Sequence, residues 1–124
     1  MKARAPRIVG VAANPEQSQA RACLVRLLRL LRRRKVAVLL DHQAAAAVRR
    51  PKVGYAIREI GREADLLIVL GGDGTMLRVA RELGGAATPI FGINLGRLGF
   101  LTSVRSNALS EAVGAVLRGE YDVT

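Results

Sequence analysis

The sequence predicts an α/β fold, an open parallel sheet with helices on both faces. Two observations carry that reading. Short β-branched runs alternate along the chain with segments of helical period, the pattern of strand–helix–strand units joined by right-handed crossovers. The strongest run, Leu66-Leu-Ile-Val-Leu70, is apolar at every position, as a central parallel strand covered on both faces must be. No internal repeat or linker interrupts the alternation, so residues 1–124 read as a single domain.

The elements follow in order. Ile8-Val-Gly-Val-Ala-Ala13 is a first buried strand, ended by Asn14-Pro15. From about residue 16 to 34, Cys23, Leu24, Leu27, Leu28 and Leu31 share one helical face, with Arg21, Arg29 and Arg32 toward the other. Val36–Leu40 is a second strand. Residues 41–54, alanine-rich with an Arg-Arg-Pro-Lys stretch, show no clear period. A short helix is expected over 55–63, then the 66–70 strand, a glycine turn, and a helix over Met76–Leu83. Pro89–Ile93 is a further strand, a last helix spans about 107–118, and Tyr121–Thr124 starts another strand.

Composition excludes several classes. Half the residues are hydrophobic and 24% charged, the balance of a globular core. A single cysteine, Cys23, rules out a disulfide framework, and with only His42 beside it there is no ordinary zinc site. No apolar run is long enough to span a membrane, and the basic start has no signal-peptide pattern. These features fit a cytoplasmic protein. The net charge of +10 comes from seventeen arginines and three lysines spread along the chain, a solvated surface more than a polyanion site. The four aromatics, Tyr55, Phe91, Phe100 and Tyr121, form no base-stacking pattern, so no specific nucleic acid is expected.

Two glycine-rich segments follow strands directly: Gly71-Gly-Asp-Gly-Thr75 and Asn94-Leu-Gly-Arg-Leu-Gly-Phe-Leu-Thr102. Ligands of open parallel sheets sit beyond the carboxyl ends of the strands, so both loops should meet at one rim. Gly71, Gly72 and Gly74 permit positive φ and close backbone approach. The helix expected after them, capped by Thr75, would aim free amides and its positive end at a phosphate. Asp73 would repel that phosphate, so it needs a separate role, as a general base or as ligand of a cation bridging to phosphates. The structural alternative is that Asp73 caps a turn. In the second segment, Gly96 and Gly99 could equally be packing glycines. Two better-known phosphate loops are excluded. Leu77 stands where the dinucleotide fingerprint needs its third glycine, and none of Lys2, Lys35 and Lys52 follows a glycine as a P-loop lysine does.

Gly71-Gly-Asp-Gly-Thr-Met-Leu77 together with Gly92-Ile-Asn-Leu-Gly-Arg-Leu-Gly-Phe-Leu-Thr102 resembles the amino-terminal domain of bacterial NAD kinases. The first motif is shared with diacylglycerol and sphingosine kinases and, more loosely, phosphofructokinases; the second is more specific. Ile8-Val-Gly-Val and Leu117-Arg-Gly-Glu-Tyr121 extend the likeness over nearly the whole chain. The resemblance implies a Rossmann-like domain that transfers a phosphoryl group from ATP, or polyphosphate, to the 2′-hydroxyl of the adenosine ribose of NAD. It implies Asp73 as proton acceptor and Asp73, Gly74, Leu77, Arg78 and Phe100 as NAD contacts. Gly71, Gly72, Gly74 and Thr75 would form a phosphate loop, and Asn94, Gly96 and Gly99 a second glycine loop. Magnesium or another divalent cation comes with the chemistry, its ligands unspecified.

There are two departures from the family pattern. Ser103 stands where the family usually has aspartate, which touches any local cap but not Asp73. NAD kinases also continue into a β-rich domain with an Asn-Glu pair, so this chain reads as the amino-terminal half of a longer, two-domain and homo-oligomeric (dimeric or tetrameric) kinase. Competing readings are a lipid kinase, which lacks the second loop, a basic nucleic-acid-binding module, and a non-catalytic nucleotide-binding domain in which Asp73 only binds.

Overall fold

The computed structural model describes residues 5–16, 20–94, 111, 113–115, 117 and 118. In chain order the elements are β1 (Ile8–Ala13), α1 (Ala20–Arg33), β2 (Ala37–Leu40), α2 (His42–Ala47), a 3₁₀ turn (Pro51–Val53), α3 (Ile57–Glu63), β3 (Leu66–Gly71), α4 (Asp73–Leu83) and β4 (Ile90–Asn94). The four strands form one parallel sheet in the order β2-β1-β3-β4, as the alternation predicts.

Alternation along the central strands sorts their side chains onto two cores. Val9, Val11, Ala13, Leu66, Ile68 and Leu70 face the α1 stripe of Ala20, Leu24, Leu27 and Leu31, where Val113 and Leu117 also pack. Ala12, Leu67 and Val69 face the other way, onto Ile57 and Ile60 of α3 and Val79 and Leu83 of α4. Both faces are therefore covered, which is why β3 could be apolar throughout. Of the helix expected over 107–118, residues 111, 113–115 and 117 are helical; the strand expected at 121–124 lies outside the described residues.

α1 stops by a Schellman turn: the Val36 amide reaches the Leu31 carbonyl at 3.4 Å and the Lys35 amide that of Arg32 at 3.1 Å. Lys35 takes the left-handed conformation there, φ 57°. The stretch 41–54 holds α2, whose buried residues are Ala44 and Ala45. Small alanines give almost no amphipathic contrast, which is why no period was legible. Asp41 ends β2 and caps α2, accepting the Ala44 amide at 2.7 Å.

Gly10 lets α3 close onto the sheet. A Cβ there would collide with Cγ2 of Ile60 and come within 3.0 Å of Leu67 Cδ1. Gly10→Ala is expected to destabilise the fold by about 1–3 kcal/mol, the usual cost of overpacking a filled core. Urea titrations of the two proteins check this. An unchanged midpoint would mean that α3 does not pack on β1 as closely as described.

Candidate functional site

The chain lays β2 on one side of β1 and then crosses to place β3 on the other, so the strand order reverses between β1 and β3. In open parallel sheets that reversal opens a crevice at the carboxyl ends. A cleft of about 430 Å³ lies there, lined by Asn14, Pro15 and Glu16 after β1, by Gln43 of α2, and by Gly72, Gly74, Thr75 and Arg78.

The local structure of each wall has a cause. Asn14 holds the loop after β1 by accepting the Glu16 amide on its side-chain oxygen at 3.0 Å, while its own amide donates to the Leu70 carbonyl at 3.3 Å. Gly71 ends β3 and pairs with Asn94 of β4, which brings the start of the second glycine segment to the rim where the first begins. A Cβ on Gly71 would lie 2.6 Å from both Cβ and Oγ1 of the buried Thr75. Gly71 is thus required by the tight turn into α4, and the cleft-lining glycines are Gly72 and Gly74. Around Gly74 a Cβ would meet nothing within 4 Å: the space there is open.

Two expectations about this loop are corrected. The helix begins at Asp73, three residues before Met76, with Gly72 as its N-cap; Thr75 therefore sits inside the first turn and caps nothing. Nor does the loop use positive φ. Among the described glycines that conformation belongs to Gly84 and Gly85 beyond α4, whereas Gly72 is extended at φ −99° and ψ −167°. Tight packing at Gly71 and open space at Gly74 explain these glycines instead.

The early helix start sharpens the chemistry. The first intrahelical bond runs from the Met76 amide to the Gly72 carbonyl at 3.1 Å. The amides of Asp73, Gly74 and Thr75 consequently have no partner inside the helix and lie at its positive end, ready for an anion's oxygens. Asp73 is exposed at that end and, among the described residues, its side chain makes no hydrogen bond or ion pair. It caps no turn, contrary to the structural alternative. Asp73 stands between the cleft-lining Gly72 and Gly74 but, like Leu77, does not itself line the cleft. Its unpartnered carboxylate is available as a base or a cation ligand for a group bound beside it.

Leu77 follows Asp73 by one turn on the same outer face of α4, and its residue is 65% exposed. Arg78 follows Gly74 by one turn and lines the cleft. Its Nη1 donates to Glu82 at 2.7 Å, and its Nη2 lies 3.6 Å from Oδ2 of Asp41. Burial pushes the Asp41 carboxyl above its usual range, opposed by the Ala44 amide and the Arg78 charge. Sequence reasoning did not single out Asp41, Gln43 or the Asn14–Glu16 turn as site residues. An aspartate between an apolar strand and an alanine run was the available signal for a cap at Asp41. Gly96, Gly99, Phe100 and Ser103 lie outside the described residues, and Asn94 is described in its backbone alone. Among the described residues no three His, Cys, Asp or Glu side chains gather to hold a metal ion, and no helix is long and apolar enough to cross a membrane.

Residues 9–121 match the family described as the ATP-NAD kinase N-terminal domain. The chain belongs to that family. It is 48% identical over 96 residues to the NAD kinase of Nitrosospira multiformis, covering 77% of this chain and 33% of that protein. To the NAD kinase of Moorella thermoacetica it is 42% identical over 115 residues, 93% of this chain and 37% of the relative. For that of Methanopyrus kandleri the identity is 37% over 118 residues, 95% and 42% respectively. The chain thus spans between about a third and two-fifths of these relatives' length. The parallel α/β sheet and the glycine rim are the fold expected of this family's amino-terminal domain.

Proposed function

We propose that this chain is the amino-terminal nucleotide-binding domain of an NAD kinase, an enzyme that makes NADP by phosphorylating NAD on the 2′-hydroxyl of its adenosine ribose. The observation that carries the proposal is the unpartnered Asp73 at the start of α4, beside amides that lack helical acceptors, at the switch point of the sheet. Family membership and the relatives' activity support it.

Phosphoryl transfer asks a protein mainly for positioning and charge stabilisation. The ribose hydroxyl is a weak acid, and Asp73 accepts its proton as the oxygen attacks the γ-phosphorus of ATP. The bond from that phosphorus to the bridging oxygen breaks, leaving ADP and NADP. The α4 amides and Arg78 hold acceptor oxygens of the dinucleotide, Gly74 gives the backbone room to approach it, and Leu77 packs against it; Phe100 is given a like role by the family resemblance alone. The family resemblance assigns Asn94, Gly96 and Gly99 to the same nucleotide site. Polyphosphate is a second donor consistent with the family. A divalent cation such as magnesium would neutralise charge on the transferring phosphates. Magnesium commonly binds through one or two carboxylates plus phosphates, a demand that Asp73 fits.

The cleft is open on its outer side, and dinucleotide sites usually bury most of the ligand. The opposite wall is assigned to a second, β-rich domain in the remainder of a longer protein, which works as a cytoplasmic homo-oligomer. The arginine-rich surface is read as solvated. Its binding to random duplex DNA should be weak and nearly vanish at moderate salt in an anisotropy titration. Tight, salt-resistant binding would favour the nucleic-acid reading.

The activity is tested by incubating the full-length protein with ATP, magnesium and either NAD or diacylglycerol vesicles. NADP is read with an NADP-specific dehydrogenase. NADP without phosphatidic acid is the expected result. Phosphatidic acid without NADP would move the protein to the lipid kinases.

A further inference from the structure

We propose that Asp41 is a positioning residue for nucleotide binding, holding the Arg78 guanidinium across the floor of the cleft. The ligand named here rests on the NAD kinase reading; the Asp41–Arg78 link itself does not.

Asp41 stands where β2 gives way to α2, and its side chain is 3% exposed. Capping α2 occupies one carboxylate oxygen, Oδ1, on the Ala44 amide. Asparagine or serine would cap as well without burying a charge, and a buried charge is costly unless it is paired. The other oxygen, Oδ2, faces Nη2 of Arg78 at 3.6 Å. That charge is what a cap alone leaves unexplained.

Arg78 reaches Asp41 from α4, on the far side of β1 in the sheet order, so its side chain lies across the switch point. Its other carboxylate, Glu82, is 48% exposed and sits on the same helix, an ordinary surface pair with little hold. The buried partner is therefore the one that fixes the fork. At 3.6 Å the Nη2 group is held by charge without a hydrogen bond, and it is buried with no hydrogen-bond partner. Arg78 is anchored with a donor unspent, and it lines the same cleft as Gly74 and Thr75. The part of the side chain that stays open, 30% exposed and lining the cleft, is then set to meet an acceptor oxygen of a bound nucleotide, on phosphate or ribose. A long side chain already ordered loses less freedom when the ligand arrives.

The test uses Asp41→Asn in the full-length enzyme, with Asp41→Ser as a second uncharged cap should asparagine disturb the fold. Both should melt close to the wild type. The KM for NAD should rise about 2- to 10-fold, the equivalent of ordering one rotamer-rich side chain, with kcat little changed. In an Arg78→Met background the same substitutions should raise KM no further. An unchanged KM, or an equal rise in both backgrounds, would overturn the role. A second readout needs no turnover: the side-chain ¹⁵Nε signal of Arg78, assigned by its loss in Arg78→Lys. It should be sharp and shifted from the other arginines in the wild type, and merge with them in Asp41→Asn. A signal unmoved by Asp41→Asn would overturn the link. A wild type that makes no NADP while Asp41→Asn moves the Arg78 signal would sink the kinase reading and leave the link standing.

Discussion

Asp73→Asn is expected to abolish most of the turnover of the full-length enzyme while leaving its fold intact. Loss of a general base typically costs ~10²–10⁴ in rate. The fold should not notice, because the Asp73 side chain is exposed and has no hydrogen-bond or ion-pair partner among the described residues. Asparagine cannot take the ribose proton, yet it preserves shape and nearly all contacts. KM for NAD should therefore change far less than kcat, the signature of a group used in the transition state. Melting temperature and NADP formation measured side by side separate the two effects. Near-wild-type turnover would remove Asp73 from the mechanism and favour a binding role alone.

The second large effect is expected at Gly74. A Cβ there points into open space, so Gly74→Val adds bulk without a clash inside the protein. Its position in the first turn of α4 puts that bulk where a ligand's oxygens must approach the free amides. Overpacking of this kind costs about 1–3 kcal/mol, roughly a 5- to 150-fold weaker NAD affinity. The fold should register little, since valine is a slightly better helix former than glycine. Gly71→Val is the control with the opposite signature. It collides with Thr75 and should unfold the protein before it reports on binding. Thermal melts and NAD titration of both variants check the contrast; equal destabilisation would mean that Gly74 is packed and the cleft is closed.

The strand–loop–helix unit at the centre of the site was legible in the sequence for a physical reason. Five apolar residues from Leu66 to Leu70, followed at once by three glycines and an aspartate, leave few options for the chain. The α1 stripe was legible for the same kind of reason, since leucines against arginines give strong contrast. The start of α4 was misplaced because side-chain capping preferences pointed to Thr75, whereas an extended Gly72 begins the helix with no side chain at all. The other half of the cleft, Asn14 to Glu16 and Gln43, depends on which strands are neighbours. Local pattern carries no strand order, and the pairing of β1 with both β2 and β3 is a property of the folded sheet. Asp41 was hidden twice over, by an alanine-rich neighbourhood and by a partner on a distant helix.

The position of the ligand is the feature on which everything else depends, and the surface offers a rival. A larger groove of about 680 Å³ runs between α1 and the 3₁₀ turn over the edge strand β2, lined by Val38, Arg50 and Tyr55 among others. It has basic side chains but no carboxylate to serve as a base, and it lies away from the strand reversal. Backbone amide shifts recorded while NAD is titrated into the isotope-labelled protein decide between the two. The expected result is a set of shifts at Asn14, Gly72, Gly74, Thr75 and Arg78, with Val38, Arg50 and Tyr55 unmoved. Shifts confined to Val38, Arg50 and Tyr55 would place the nucleotide on the β2 edge and contradict the assignment of Asp73 as the base.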